Sequence, residues 1–351
     1  MTERRRDGAT AERSATLVIQ TAFLGDVVLT TPLLSALAAR YGPVDVVTTP
    51  AAAGLLETHP AVREVIRYDK RGADAGLAGF WRVASGLRAR WYDRVVLPHR
   101  SWRSAALALA ANVPERTGFA DAAPAVTYTT RIPRARTGHE VDRLLALAGT
   151  ASADAPPVSL ALEPGDYAAA DQWLAGRGLA AGFVALAPGS IWATKRWPYY
   201  PELAEALDGP VVVIGGPDDG QLAETIVGRA PNRVHSAAGA LNLRASAALI
   251  ARARILVTND SAPLHLGTAV GTPIVAIFGP TTPAQGFGPR GASDTALGHP
   301  ALACRPCSAH GQRVCPLLHH RCMRELSVET VVAAVAATRD VEDRRAICPG
   351  H

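Results

Sequence analysis

Ala15-Thr16-Leu17-Val18-Ile19-Gln20 is a short run dominated by apolar residues, followed by the loop Thr21-Ala22-Phe23-Leu24-Gly25 and then by Asp26-Val27-Val28-Leu29. The first run reads as a buried strand. From Asp26 to Arg40 the apolar residues Val27, Leu34, Leu37 and Ala38 recur at helical spacing. This strand–loop–helix unit sets the pattern for the rest of the chain. Further strands are predicted at Val44–Thr48, Val62–Ile66 and Arg94–Leu97, with helices near 51–58, 77–90 and 101–111. That rhythm is the signature of a parallel sheet covered by helices on both faces.

Thr150 to Val158 is rich in Pro, Ala and Asp and reads as a linker. The rhythm then restarts, with strands at Phe183–Ala187, Val211–Ile214, Arg254–Val257 and Pro273–Phe278. Helices are predicted near 199–207, 219–229, 243–251 and 262–270. A chain of 351 residues is too long for one comfortable core. The expected architecture is α/β, with two doubly wound domains, 15–152 and 153–326, facing across a cleft. Ligands of such sheets bind beyond the carboxyl ends of the strands. Residues 1–14 read as a disordered tail, 327–338 as a C-terminal helix returning to the first domain, and 339–351 as a frayed tail.

Hydrophobic residues make up 48% of the chain and charged residues 19%, which excludes global disorder. The formal net charge of +5 fits an anionic ligand, an anionic membrane surface or nucleic acid without choosing among them. Aromatic residues are only 5% and no recognition motif is present, so nucleic acid is not an expected partner. The N-terminus lacks the apolar core of a signal peptide, and no run reaches the roughly 18 apolar residues of a membrane span. The expected location is cytoplasmic, with peripheral contact to the inner membrane face left open. All basic residues are arginines except Lys70 and Lys195. Lys70, in a polar stretch beside Arg71, is assigned to drift.

Four loops carry candidate chemistry. Gly25 permits a sharp turn, and Asp26 is either a helix cap or a carboxylate at the cleft mouth that accepts a proton. A single glycine there does not make a dinucleotide fingerprint, which disfavours a dehydrogenase. Ser190, Thr194 and the pair Lys195-Arg196 lie between a strand and a helix, in material suited to a diphosphate. The Gly215-Gly216 turn leads to Asp218 and Asp219, placed to take ribose hydroxyls or to cap the next helix. Thr258-Asn259-Asp260-Ser261 offers four capping residues where a helix needs one. The surplus points to a ligand at the helix N-terminus, with the Ser261 and Ala262 amides facing phosphate. His265 follows one turn later as a supporting residue.

Leu24-Gly25-Asp26-Val27-Val28-Leu29-Thr30-Thr31-Pro32 resembles the opening motif of the ADP-heptose:lipopolysaccharide heptosyltransferases, glycosyltransferase family 9. Lys195-Arg196-Trp197-Pro198, Thr258 to His265, Gly271-Thr272-Pro273, Phe278 to Thr281, Leu97 to Ala105 and His139-Glu140-Val141-Asp142 are similar to other family segments, in family order. The resemblance runs from about residue 15 to 338. It implies a GT-B fold, two Rossmann-like domains with the active site between them, and inverting transfer without a catalytic metal or cofactor. It implies that Asp26 is the general base, that Lys195 meets the donor phosphates, that Asp219 meets the nucleoside and that Asp260-Ser261-Ala262 holds the donor sugar and phosphates. Ala262-Pro263 departs from the Gly-Leu or Gly-Pro frequent in the family. The acceptor is expected on the first domain, at Gly25, His99, Arg100 and Arg103.

Cys304-x2-Cys307-x7-Cys315-x6-Cys322 is a compact set. It reads as a structural zinc site, as reduced thiols or as a reversible disulfide pair. Similar cysteines lean the resemblance to the heptosyltransferase-II-like branch. The set is expected to lie away from the chemistry. The expected function is transfer of heptose from ADP-heptose to the lipopolysaccharide inner core. The alternatives are a transferase using another nucleotide sugar and a non-catalytic nucleotide-sugar-binding protein.

Overall fold

The computed structural model describes residues 15–347. The tail expected at 1–14 lies outside these residues. The first sheet contains β1 (Thr16–Ile19), β2 (Val44–Thr48), β3 (Val62–Arg67), β4 (Arg94–Leu97), β5 (Glu115–Phe119) and β6 (Thr130–Ile132). The second contains β7 (Val184–Ala187), β8 (Val211–Val213), β9 (Val234–Ser236), β10 (Ile255–Asn259), β11 (Ile274–Phe278) and β12 (Thr295–Gly298). The strand orders are β3-β2-β1-β4-β5-β6 and β12-β11-β10-β7-β8-β9, and every pairing is parallel. Both are the doubly wound order in which the chain reverses direction between two central strands. Those reversals fall between β1 and β4 and between β7 and β10.

The central strands β1, β2, β7, β10 and β11 are buried along their whole length. Continuous apolar runs are what helices on both faces demand. The first domain supplies α1 (Leu24–Leu29), α2 (Thr31–Tyr41), α3 (Pro50–Ala53), α4 (Gly76–Arg88), α5 (Trp102–Ala110) and α6 (Glu140–Leu145). The second supplies α7 (Pro164–Ala175), α8 (Tyr200–Ala206), α9 (Gly220–Val227), α10 (Leu243–Arg252), α11 (Ala262–Val270), α12 (Arg321–Arg324) and α13 (Val328–Ile347). The single helix predicted over 26–40 is two, broken at Thr30. Pro32 sits in the first turn of α2, where its missing N–H costs nothing. Thr30 Oγ1 donates to the Asp26 carbonyl at 2.6 Å and accepts from Gln20 Nε2 at 3.0 Å, pinning α1 over the end of β1.

The two domains share apolar surface. Val28 and Leu55 of the first pack in one cluster with Trp173, Leu174, Ala247 and Leu266 of the second. Arg244 donates across the seam to the Gly54 carbonyl at 3.2 Å and to Thr58 Oγ1 at 2.5 Å, while pairing with Asp166. The C-terminal helix differs from expectation. Val331 and Val335 of α13 join the second domain's core with Trp197, Val275 and Ile277, so this face stays on its own domain instead of returning to the first. These valines find an apolar surface on the β10–β11 face, next to α8, and burying them there satisfies the helix. The helix also runs on to Ile347, where a frayed tail was expected from 339; residues 348–351 lie outside the described residues.

Candidate active site

The second sheet's reversal point carries a dense polar cluster. Asn259, fully buried at the end of β10, donates from Nδ2 to the Pro188 carbonyl at 2.8 Å and accepts from the Trp197 amide at 3.2 Å. It ties the loop after β7 to the loop after β10. Lys195 and Asp260 are both buried, with Lys195 Nζ 2.6 Å from Asp260 Oδ2. Thr281 Oγ1 donates to the same carboxylate oxygen at 2.6 Å. Ser261 occupies the N-cap of α11 but makes no side-chain cap; its hydroxyl donates to the Gly189 carbonyl at 3.2 Å. The surplus of capping residues is therefore spent on the loops.

Asp219 folds back onto the same crevice. Its Oδ2 accepts from the Gly216 amide at 3.0 Å, and a Cβ on Gly189 would lie 2.4 Å from its Oδ1. Capping of the Gly-Gly turn and placement at the site thus coincide in one carboxylate. Ser190 Oγ accepts from the Trp192 amide, and Arg196 Nε donates to the Ser190 carbonyl at 2.8 Å. Thr194 is buried and occupied structurally: its hydroxyl donates to the Gln312 carbonyl at 2.7 Å, and its carbonyl bonds His320 Nε2 at 2.8 Å. Gly311 presses on Lys195, where an added Cβ would come within 3.0 Å of Lys195 Cγ. The cysteine-bearing loop therefore forms a wall of this pocket, against the expectation that it lies elsewhere. Hydrogen bonds between Thr194 and Gln312 hold it there.

Across the cleft, Asp26 sits in the first turn of α1 and its Oδ2 accepts from the Phe23 amide at 3.2 Å. The capping reading of this residue is met, since the carboxylate accepts from the N-cap backbone. Protein surrounds it on most sides, leaving a narrow solvent-accessible face. Burial, then the negative charge of Glu140, raises its pKa to about 6, against weaker opposing effects of the Phe23 amide, Lys195 and Arg134. A carboxylate of that basicity is suited to remove a proton near neutral pH. Gly25 lies against the ring of His265, with an added Cβ only 2.5 Å from His265 Cδ2. His265 is buried at this seam, and burial lowers its pKa to about 4, so it is neutral under ordinary conditions.

The expected acceptor residues lie at the carboxyl end of the first sheet. His99 is held near pKa 4 by burial and by Lys70 and Arg100. Its Nδ1 is buried with no hydrogen-bond partner among the described residues. Arg103 Nε donates to Tyr68 Oη at 2.5 Å, whereas Arg100 pairs with Asp121 on the surface at 2.6 Å. Lys70, dismissed as drift, donates from Nζ to the Thr21 carbonyl at 2.7 Å, at the end of β1. Its rarity was the one signal available, and it applied to Lys70 as much as to Lys195.

Cys304, Cys307, Cys315 and Cys322 are all free thiols. Among the described residues no group of three or more His, Cys, Asp or Glu side chains is arranged to hold a metal ion. Burial raises the pKa of Cys307 and, to about 11, that of Cys322, and neighbouring thiols add to both.

The profile described as glycosyltransferase family 9 (heptosyltransferase) matches residues 80–317. The chain belongs to that family. This family 9 glycosyltransferase is 31% identical over 310 residues to lipopolysaccharide heptosyltransferase 1 of Pseudomonas aeruginosa, covering 83% of this chain and 85% of that protein. It is 29% identical over 292 residues to lipopolysaccharide heptosyltransferase 2 of Salmonella typhimurium, covering 76% of this chain and 83% of that protein. Among solved structures it is similar to the family 9 glycosyltransferase from Veillonella parvula, with a TM-score of 0.83, 24% identity and coverage of 95% and 99% of the two chains. It is also similar to ADP-heptose lps heptosyltransferase II of E. coli, with a TM-score of 0.75, 24% identity and coverage of 94% and 99%. The fold of this glycosyltransferase is GT-B. None of its described helices is long and apolar enough to cross a membrane.

Proposed function

We propose that this enzyme transfers a heptose from ADP-heptose to the inner core of lipopolysaccharide, with inversion at the anomeric carbon. One observation carries the reading: Gly25, next to Asp26 on the first domain, abuts His265 of α11, and the N-terminal end of that helix carries Asp260 paired with Lys195, so the carboxylate and the cation stand on the two sides of one seam. The nucleotide diphosphate lies against the N-terminus of α11, with Asp219 toward the ribose and Lys195 toward the phosphates. Asp260, which pairs with Lys195, faces the sugar. The acceptor hydroxyl attacks the anomeric carbon from the first domain's side and its proton passes to Asp26. The bond from that carbon to the bridging oxygen breaks, and ADP leaves with the electron pair. Lys195 and the helix-end amides stabilise the charge gathering on the diphosphate. Because the attacking and leaving oxygens stand on opposite faces of the sugar, configuration inverts.

The names of relatives support the donor and the acceptor, and the basic side chains Lys70 and Arg103 suit an acidic core oligosaccharide. The acceptor is anchored in lipid, so the enzyme works in peripheral contact with the cytoplasmic face of the membrane. Calorimetry with ADP-, UDP- and GDP-sugars tests the donor. Tightest binding of ADP-heptose is expected; preference for a UDP- or GDP-sugar would replace this reading with a transferase of another glycan.

A further inference from the structure

The turn at 308–312, between Cys307 and Cys315, bridges the two domains beside the site. Its anchorage lies in the second domain. The Gly311 amide donates to Ser308 Oγ at 2.6 Å, and Gln285 Nε2 donates to the Ser308 carbonyl at 3.0 Å. The Gln312 amide donates to Thr194 Oγ1 at 2.8 Å, while its carbonyl accepts from the Thr194 amide at 3.1 Å. Just before the turn, Arg305 donates to the main-chain carbonyls of Phe278, Gly279 and Thr281 at the end of β11. Gly311 adopts φ +91°, and a Cβ there would lie 3.0 Å from Lys195 Cγ and 3.2 Å from Lys195 Cε. Glycine meets both demands, the left-handed backbone and the close approach. The turn is therefore fixed against the stem of the donor-side lysine.

The preceding residue, His310, reaches the first domain. Its ring meets that of Phe23, with centroids 6.2 Å apart and planes at 58°. That separation is within the range of a favourable aromatic pair. Phe23 is 46% exposed and His310 is exposed as well. Phe23 occupies the N-cap of α1, a position that favours Ser, Thr, Asp or Asn, and its side chain makes no cap. Neither burial nor capping accounts for a phenyl ring there; the contact with His310 does. The Phe23 amide in turn donates to Asp26 Oδ2 at 3.2 Å. Two consecutive residues of one turn thus touch both halves of the site. His310 rests on the residue that holds Asp26, and Gly311 rests on Lys195.

We propose that His310 is a positioning residue for the transfer: seated on Phe23, it sets the approach of Asp26 to the Lys195 side of the cleft. That role rests on Asp26 being the base and Lys195 the cation that meets the donor. The aromatic ring is what the contact uses, and the imidazole nitrogens take no part in the chemistry. A surface pair of this kind can set a distance only if both of its ends are held. The turn is held by Thr194, Gln285 and the Lys195 stem, and Phe23 is held at the start of α1. Misplacement of a catalytic group lowers the chemical step, not the binding of a nucleotide that lies wholly against the second domain.

The test measures kcat and KM for ADP-heptose in the full-length enzyme, with ADP affinity by calorimetry. His310→Ala and Phe23→Ala are each expected to lower kcat about tenfold, the most that one exposed aromatic pair supports, with ADP affinity unchanged. Both substitutions together should cost no more than either alone, because each removes the same contact. His310→Phe keeps a ring on Phe23 and should retain most of the wild-type kcat, a rescue that an acid–base or hydrogen-bonding imidazole would not show. Unchanged kcat in His310→Ala, additive losses in the double variant, or a His310→Phe enzyme as slow as His310→Ala overturns the proposal. So does a fall in ADP affinity that matches the fall in kcat, which would make the turn a wall of the donor pocket alone. Should Phe23→Ala not fold, His310→Ala against His310→Phe decides. A fully active Asp26→Asn enzyme instead overturns the reading of Asp26 as base, whatever the His310 variants show.

Discussion

Lys195 Nζ and Asp260 Oδ2 lie 2.6 Å apart at the point where the second sheet reverses direction, and both side chains are buried. The carboxylate holds the lysine, and a bound diphosphate is expected to share the ammonium. Lys195→Ala removes the cation and leaves Asp260 buried without its charge partner. The loss of kcat/KM is expected to be about 10²–10³-fold, the range for removing one electrostatic stabiliser of a developing charge. Steady-state kinetics with varied donor measures it, and unchanged kinetics would remove Lys195 from the site. Lys195→Arg is not expected to rescue fully, because a planar guanidinium cannot take the place of a compact ammonium held at 2.6 Å by Asp260.

The raised Asp26 pKa fixes the direction of the pH profile. The base is ionised above about 6, so transfer should fall as pH is lowered through that value. His265 titrates near 4 and should add no second limb in the working range. A limb near 4 in its place would show that Asp26 does not limit the reaction.

The same shift makes a stability prediction of opposite sense to the activity. A carboxyl raised from 3.8 to about 6 binds its proton more tightly in the folded state than in the unfolded one. Folding therefore loses stability as pH rises from 3.8 through about 6, and the deficit persists above it. At pH 7 it amounts to about 3 kcal/mol at most. Asp26→Asn, uncharged and nearly isosteric, is expected to lose transfer yet melt a few degrees higher at pH 7, with the gain vanishing near pH 4. A lower melting temperature at pH 7 would contradict the raised proton affinity of this carboxylate.

The cysteine loop yields a reactivity order. Burial raises the Cys322 thiol to about 11, whereas Cys304 and Cys315 are partly exposed. At pH 7 only about one Cys322 in ten thousand is thiolate, the reactive form. Alkylation followed by mass spectrometry should label Cys322 last. Because Gln312 and His320 of this loop hold Thr194, modification of the earlier cysteines is expected to weaken donor binding. Donor affinity unchanged after labelling would separate the loop from the site.

The apolar strands and the junction at Thr258–Ser261 were legible because periodicity and capping chemistry are local. The four edge-side strands β5, β6, β9 and β12 were not: Glu115–Phe119 and Thr295–Gly298 carry too few apolar residues for a run to stand out, and only pairing to a neighbour makes them strands. Asp26, Lys195, Asp219 and Asp260 were each recognisable beside a strand end. The hold of Glu140 and Arg143 on the Gly286 and Gln285 carbonyls of the other domain was not, because no local pattern reports a contact across a seam. Nor did any pattern show that α13 would stay on the second domain, since its valines suit either apolar surface.

Gly25 offers the sharpest single-atom test of how the domains meet. Helix α1 crosses α11 so closely that a Cβ on Gly25 would lie 2.5 Å from His265 Cδ2 and 3.3 Å from its Nε2. Neither partner can yield easily: Gly25 is buried in α1, and the His265 ring is enclosed against Phe287. Each domain carries its own core, so Gly25→Ala should leave both folded while forcing α1 and α11 apart. Asp26 is the next residue and would move away from Lys195 with the helix. Misplacing a catalytic group by about 1 Å typically lowers the rate on the order of 10²-fold. Gly25→Ala is therefore expected to lower kcat strongly with little change in donor affinity, which the second domain supplies. His265→Ala removes the obstructing ring, so the double variant should recover much of the lost rate. Coupling of the two substitutions in a double-mutant cycle is the measurement; strictly additive effects would show that the Gly25–His265 contact does not set the approach of the two domains.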